Sequence, residues 1–379
     1  MGLWHGARCV HHDRMRGPDG LNAQDPGVRL LAKVARERWP DRMATGGGVL
    51  LAHCGEVEGV GVGATRWILD VREREGAVHR CVDTVRDVAT MVTEGGPFGL
   101  ALAWPRAHLG MDFSQWSLAA AALGLAPHGW LLCSARKQKG GKRLAAFVES
   151  IFGRVEVLAR GGGYQVYGAS RGDGFNVEAA HEACAARYQW PLPDTSLPKM
   201  ISGPGVFSRR ALDDGTRVLL THLQTHAERF ADCTHVVDLC AGVGPLALGA
   251  AHQFPGAQVL AVDSNLLAVH DMRENIVRHQ LEDRVQARLY DGMPPVGAPE
   301  SAGFEGKVGL VLMNPPTHAP REALASLVAP LRDYLHEGGV VCAVVNRPGT
   351  MRAVFQGMGA SGDAYDYPGF TVLEIRWTR

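Results

Sequence analysis

The run Val236-Val237-Asp238-Leu239-Cys240-Ala241-Gly242-Val243-Gly244-Pro245 has the residue types of a ligand-binding turn. Two β-branched residues lead into a carboxylate, then small residues, then the helix formers of 246–251. Glycines at 242 and 244 let the backbone turn sharply and approach a ligand, because they lack a Cβ. Pro245 suits the first position of a helix, where its missing N–H costs nothing. Asp263 lies 19 residues beyond Gly244 (263 − 244), a spacing at which a carboxylate accepts both hydroxyls of a ribose. With Ser264-Asn265 ahead of a helix it also reads as an N-cap; within the set the ribose reading is preferred. Asp291 can accept from an adenine amino group, or simply open an Asp-Gly turn with Gly292. Asn314-Pro315-Pro316 is the most specific stretch. Its prolines hold the backbone extended and rigid, so that the Asn side chain and nearby carbonyls become fixed acceptors for a planar amine.

These residues need a scaffold that brings them to one edge. Strands are expected at 236–240, 258–262, 285–289, 308–313 and 339–345, with helices between them. One helix shows Val269, Met272 and Ile276 on a face; another shows Leu324, Leu327, Val328, Leu331 and Leu335, bent at Pro330. The first half follows the same plan. A helix over 26–39 precedes strands at 48–52 and Trp67-Ile68-Leu69-Asp70; a helix begins at Ala77-Val78-His79; and a strand at 98–104 and a helix through Trp116, Leu118, Ala122 and Leu123 lead to a strand at 129–134. Alternating strands and helices predict a doubly wound, mostly parallel α/β sheet, in which ligands bind beyond the carboxyl ends of the strands.

The halves also align. Leu102-Ala103-Trp104-Pro105-Arg106-Ala107-His108 matches Leu312-Met313-Asn314-Pro315-Pro316-Thr317-His318 at an offset of 210 (314 − 104), which also places Gly129 on Gly339. Gly163-Tyr164-Gln165-Val166 echoes Gly369-Phe370-Thr371-Val372. An internal duplication follows, and the copies differ where chemistry would sit. The first has Ala52-His53-Cys54-Gly55 around the acidic turn and Trp104-Pro105-Arg106 at the Asn-Pro-Pro position. It reads as a degenerate copy that has lost its ligand. The proline-rich stretch 191–198 is the natural linker, giving a first domain over 1–192, a linker over 193–205 and a second domain over 206–379.

The 379 residues leave room for two cores. Lys+Arg and Asp+Glu both number 39, so net charge gives no nucleic-acid footprint, and any such partner needs a local basic patch. Five basic residues cluster in Arg136-Lys137-Gln138-Lys139-Gly140-Gly141-Lys142-Arg143. They read either as a solvated helix start or as phosphate contacts. Eight scattered cysteines without a C-x-x-C pair indicate reduced cytoplasmic thiols, and no metal site is expected. His5, His11 and His12 fall in a polar leader, and no apolar run is long enough to span a bilayer.

The second half resembles class I S-adenosylmethionine-dependent methyltransferases, and Asn-Pro-Pro-x resembles the motif of those that methylate exocyclic amines. The whole chain is similar to the bacterial rRNA guanine-N2 methyltransferases, in the branch that acts on 16S rRNA of the small subunit. The duplicated layout carries that closer match, with Gly205-Val206-Phe207-Ser208 followed by Leu212-Asp213-Asp214-Gly215-Thr216, and with the basic run after the first copy's last parallel strand. The resemblance implies two tandem Rossmann-like domains, the first a degenerate RNA-binding scaffold and the second binding S-adenosylmethionine. It assigns the cofactor to Asp238, Ala241, Gly242, Gly244, Pro245, Asp263, Ser264, Asp291, Gly292 and Asn314. A flipped-out guanine would present its N2 amine to Asn314, Pro315 and Pro316, near Thr317, His318 and Phe207, with Arg136, Lys137, Lys139, Lys142 and Arg143 on RNA phosphates. A cytoplasmic monomer working on ribosomal RNA or the small subunit is expected.

The family usually has an aromatic residue where this chain has Thr317. Base–aromatic stacking contributes ~1–3 kcal/mol; Phe207 or Tyr290 could stack instead, although both read first as packing residues. N-methylation of a protein glutamine or a DNA adenine remains an alternative, as does an RNA-binding protein that keeps the cofactor pocket without catalysis. A dinucleotide dehydrogenase fits less well, because Ala-Gly-Val-Gly-Pro lacks the third glycine of that fingerprint.

Overall fold

The computed structural model describes residues 25–75, 77–316 and 318–377. The expectations resting on His5, His11, His12 and Thr317 lie outside these residues. In the first half, α1 (Pro26–Arg38) and α2 (Pro40–Thr45) precede β1 (Val49–Ala52), β2 (Thr65–Ile68) and β3 (Arg80–Asp83). Then come α3 (Val88–Gly95), β4 (Phe98–Ala103), α4 (Met111–Leu123), β5 (Leu125–Arg136), α5 (Lys142–Phe152), β6 (Glu156–Gly161), β7 (Tyr164–Ser170) and α6 (Val177–Cys184). A short hairpin of β8 (Tyr188–Trp190) and β9 (Met200–Ser202) follows. The second half runs α7 (Asp214–Thr225), β10 (His235–Leu239), α8 (Pro245–Gln253), β11 (Gln258–Asp263), α9 (Leu266–Arg278), β12 (Val285–Leu289) and β13 (Val308–Met313). It ends with α10 (Arg321–Val328), α11 (Leu331–Tyr334), β14 (Leu335–Val345), α12 (Pro348–Gln356), β15 (Ala360–Tyr367) and β16 (Phe370–Trp377).

Two seven-stranded sheets result, with one topology: β3-β2-β1-β4-β5-β7-β6 and β12-β11-β10-β13-β14-β16-β15. In each sheet the first five strands are parallel and the last two pair antiparallel. β4 and β13 start 210 residues apart (308 − 98), as do β5 and β14 (335 − 125). The same register slip occurs in both, between Phe98 and Leu100 and between Val308 and Leu310. The matched glycines permit it: a Cβ on Gly129 would lie 2.9 Å from the Phe98 carbonyl oxygen, and one on Gly339 would lie 2.7 Å from that of Val308. Central strands such as β13 are buried along their whole length, as expected when helices cover both faces of a parallel sheet.

Two expectations need correction. Ala77-Val78-His79 starts no helix. His79 is buried against Glu56 (Nδ1 to Oε2 2.6 Å) while Val78 is exposed, and this alternation leads directly into β3. The single helix bent at Pro330 is instead two helices, because a proline lacks the N–H that would continue the ladder; Leu335 already belongs to β14. The stretch 193–205, expected as the linker, carries a strand. It forms most of the β8–β9 loop, β9 and the segment after it, and Met200 and Ser202 to Gly205 are buried.

α9 anchors that hairpin and the first half together. The Asn275 side chain accepts from the Ile201 N–H (2.7 Å) and donates to the Ile201 carbonyl (2.8 Å). Asp271, fully buried, takes two hydrogen bonds from Arg86 (2.9 and 2.6 Å) and one from the Gly203 N–H (2.9 Å). Among the described residues no helix is long and apolar enough to cross a membrane. Removing one partner of a buried pair leaves the other charge desolvated and unpaired. Asp271→Ala should therefore lower stability by ~3 kcal/mol, read as a lower urea midpoint, and Asp271→Leu with Arg86→Met should recover most of the loss.

Candidate functional site

The turn after β10 works as the sequence implies. Cys240, Gly242 and Gly244 all have left-handed φ (65°, 56° and 92°). A Cβ added at Gly242 would meet nothing within 4 Å, while one at Gly244 would crowd Met272 at 3.0 Å. Gly242 is thus the open position, and Gly244 is required for packing and conformation. Pro245 opens α8. Asp238 is wholly buried, and its Oδ2 accepts the Ala247 N–H (2.9 Å), one of the donors that a helix start leaves unsatisfied. Its Oδ1 is buried without a partner. A carboxylate oxygen in that position is an acceptor awaiting a donor. Burial, with the nearby Asp263 charge adding to it, pushes the Asp238 carboxyl up to about 7 despite the Ala247 bond.

Asp263 ends β11 and ties two loops together. Its Oδ2 accepts the Gly242 N–H and its Oδ1 the Asn265 N–H, both at 2.8 Å. The N-cap alternative falls to its neighbour: Asn265 caps α9, accepting from Leu267 N–H (2.9 Å) and Ala268 N–H (3.2 Å). Each Asp263 oxygen keeps further acceptor capacity. Ser264, expected beside the cofactor, donates to Asp70 of the first half (2.8 Å). Asp291 follows β12 next to Gly292, whose φ of 78° makes the Asp-Gly turn real. Arg72 of the first half approaches Asp291 Oδ1 at 3.9 Å.

Asn314 lies across a pocket from the Gly-rich turn, and the pocket walls include Trp190, Phe207, Ala241, Gly242 and Pro245. The Asn314 Nδ2 donates to Asp213 Oδ2 (2.8 Å) and Thr216 Oγ1 (3.1 Å). Asp213 already accepts the Thr216 N–H as N-cap of α7, so the group facing it is the amide NH2 and not the oxygen. Oδ1 is left as the acceptor for a ligand. Pro315 is buried, while Pro316 and His318 are exposed. Phe207 is 69 % exposed at the pocket wall. The sequence reading missed Asp213, Thr216 and Trp190 as site residues. The signal available for the first two was the Asp-x-x-Thr pattern of a helix cap.

Sheet register identifies what replaced these residues in the first copy. Leu51 stands for Asp238, Ile68 for Asp263, Val85 for Asp291 and Trp104 for Asn314. Leu51, not Ala52, thus occupies the acidic position, and all four polar positions have become apolar. Arg106, at the place of Pro316, is buried and donates to Glu73 (2.8 Å) and to the His53 carbonyl (3.3 Å). His53 is held neutral by burial and by Arg106, between Ser117 Oγ (2.8 Å) and Thr84 Oγ1 (3.0 Å). The first site is filled by its own side chains.

Of the basic cluster, Arg136 lies over the Tyr164 ring (5.2 Å) and donates to its hydroxyl (2.8 Å). Lys137, Lys139, Lys142 and Arg143 are exposed, the last two in the first turn of α5. Cations there oppose the helix dipole, so they do not serve helix stability. Arg210, also exposed and also missed, lies over the Tyr188 ring (4.4 Å) three residues from Phe207.

Residues 198–374 match the family model of the methyltransferase small domain. The chain is 32 % identical over 169 residues to the ribosomal RNA small subunit methyltransferase C of Pseudomonas entomophila, covering 44 % of this chain and 46 % of that protein. It is 36 % identical over 132 residues to the ribosomal RNA large subunit methyltransferase G of Pseudoalteromonas atlantica, covering 34 % and 32 % respectively. The matched segments span half or less of these curated relatives. Among solved structures, a 16S rRNA N2 methyltransferase of T. thermophilus, in complex with AdoMet and guanosine, superposes with a TM-score of 0.71 at 21 % identity, over 94 % of this chain and 92 % of that one. That likeness extends the tandem Rossmann-like methyltransferase fold across both halves.

With its carboxyl at about 7, against an ordinary unfolded value near ~4, Asp238 stays protonated in the folded state where the unfolded chain has already ionised. Its contribution to stability is therefore complete below about pH 4 and is lost as pH rises through about 7. Asp238→Asn removes this titration. Its urea midpoint relative to wild type should climb between about pH 4 and about pH 7 and then level off; a pH-independent difference would contradict the assignment.

Proposed function

We propose that this protein transfers the methyl group of S-adenosylmethionine to the N2 amine of a guanine in small-subunit ribosomal RNA. The observation that carries this reading is Asn314, whose amide NH2 is pinned by Asp213 and Thr216 so that Oδ1 stands as a fixed acceptor across a pocket from the Gly-rich turn. The residues fit the cofactor. Gly242 gives open backbone, the buried and unpaired Asp238 Oδ1 matches the N–H donors of an amino-acid moiety, and Asp263 and Asp291 supply acceptors for ribose hydroxyls and an adenine amine. When bound, it supplies a reactive methyl on a sulfonium. The names of the small-subunit relatives support the same chemistry, as does the T. thermophilus N2 methyltransferase with its AdoMet and guanosine.

The protein's part is then positioning. Asn314 Oδ1 and the Pro315 carbonyl take the two N2 hydrogens, which turns the nitrogen lone pair toward the methyl. These two acceptors would hold N2 in line with that methyl; the bonding pair would stay on the sulfur of the departing S-adenosylhomocysteine, and the N2 proton held at Asn314 Oδ1 would pass to solvent water. Orientation of this kind supplies much of the rate for a pre-activated donor. Phe207, exposed at the pocket, is the stacking partner that Thr317 does not provide. The division into a scaffold over 1–192, a connection over 193–205 and a catalytic unit over 206–379 belongs to this reading, as does a monomer acting in the cytoplasm, with the basic run and Arg210 on phosphates.

Labelled S-adenosylmethionine incubated with the protein and with small-subunit particles from cells lacking it should label a single guanine at N2. Cofactor binding without label on RNA or particle would exclude the reading. Asn314→Ala should lower kcat by ~10²-fold or more while the protein stays folded. Reversing Lys137, Lys139 and Lys142 to Glu should weaken RNA binding and flatten the slope of log K against log salt, by about 0.7 for each phosphate no longer neutralised. An unchanged slope would remove the basic run from the interface.

A further inference from the structure

The loop after β2 in the first copy and the loop after β11 in the second are equivalent by sheet register, offset by 195 (263 − 68), and they touch each other. The Val71 N–H donates to the Ser264 carbonyl (3.0 Å) and the Leu266 N–H to the Leu69 carbonyl (2.9 Å), with Asp70 and Asn265 forming an antiparallel bridge. Asp263 sits at the root of this contact. From the first copy's side the loop presents Arg72, whose guanidinium is gripped by Asp70 (Nε 2.7 Å, Nη2 2.6 Å) and reaches Asp291 at 3.9 Å. Asp70 in turn accepts from Ser264 (2.8 Å). One cation from the first half therefore stands among the carboxylates that the second half offers to a nucleoside.

We propose that Arg72 is a binding residue for the adenosine end of the cofactor, so that the site of the second copy is incomplete without the first. This rests on the methyltransferase reading above. Arg72 offsets the charges of Asp263 and Asp291, keeping both as acceptors, and its planar guanidinium offers a face to an aromatic base. Glu73 and Arg106 are positioning residues for it. Glu73 Oε1 accepts the Leu69 and Asp70 N–H groups (both 3.2 Å) and is itself held by Arg106 (2.8 Å). The ion pair that fills the first copy's own site is thus the strut of the loop that serves the second.

The experiment is calorimetric titration of the full chain with S-adenosylhomocysteine and with 5′-methylthioadenosine, which lacks the amino-acid end. Wild type, Arg72→Ala, Arg72→Lys, Arg106→Met and the double variant Arg72→Ala with Arg106→Met are compared, together with the Tm of each without ligand. Arg72→Ala should raise both Kd values by about tenfold, with Arg72→Lys between it and wild type and the ligand-free Tm of both Arg72 variants unchanged. Arg106→Met should raise both Kd values less, and add little to Arg72→Ala. Unchanged or tighter binding by Arg72→Ala overturns the proposal, as does a loss confined to S-adenosylhomocysteine. If wild type binds neither ligand, the methyltransferase reading itself fails.

Discussion

The Asp263 carboxylate receives a backbone N–H from each of two loops, Gly242 on one side and Asn265 on the other, and the site's geometry depends on it. The first bond fixes the turn that follows β10, and with it the entry to α8. The second sets Asn265, which caps α9 and, with Ser264, joins the first half. A parallel sheet makes such a node necessary. Its candidate ligand residues sit on separate loops at the carboxyl ends of the strands, and loops hold position only when something spans them. A side chain with two acceptor oxygens at the end of a central strand does so at the cost of desolvating a charge, which is why burial raises its pKa.

The two copies meet through the same loop, related by an approximate two-fold, in the self-complementary manner of a symmetric dimer. Once joined in one chain, the halves no longer needed the same residues. In the first copy Leu51, Ile68, Val85 and Trp104 replaced the polar set, which removes the cost of burying carboxylates that bind nothing. The space was taken by Arg106 and His53, each with polar partners. The degenerate site therefore became a rigid support, and Arg86 and the loop around Arg72 carry that support to α9 and to the second site.

Neutral overall charge and a local basic surface are compatible because the sum over the chain does not say where each charge lies. Arg66, Arg86 and Arg106 are buried or nearly so in ion pairs, while Lys137, Lys139, Lys142 and Arg210 remain exposed. A count of charges cannot separate these roles. Burial can.

The sequence by itself determined the five parallel strands of the second half and four of the five in the first, the duplication, and the strand ends at which the candidate ligand residues gather. These follow from local periodicity, from β-branched runs closed by carboxylates and from glycines whose lack of a Cβ is legible wherever they occur. The offset of 210 already contained the shared register slip of β5 and β14. Contacts between residues far apart in the chain were decided only by the tertiary structure. That Asp213 and Thr216 orient Asn314, that Asn265 and not Asp263 caps α9, and that Ser264 faces Asp70 are consequences of packing one loop against another. Placing Leu51 opposite Asp238 needed the pairing of strands, and Arg72 belongs beside Asp291 only because two units fold against each other. Hydrogen bonds and ion pairs act over a few ångströms, and along the chain Arg72 and Asp291 are 219 residues apart (291 − 72).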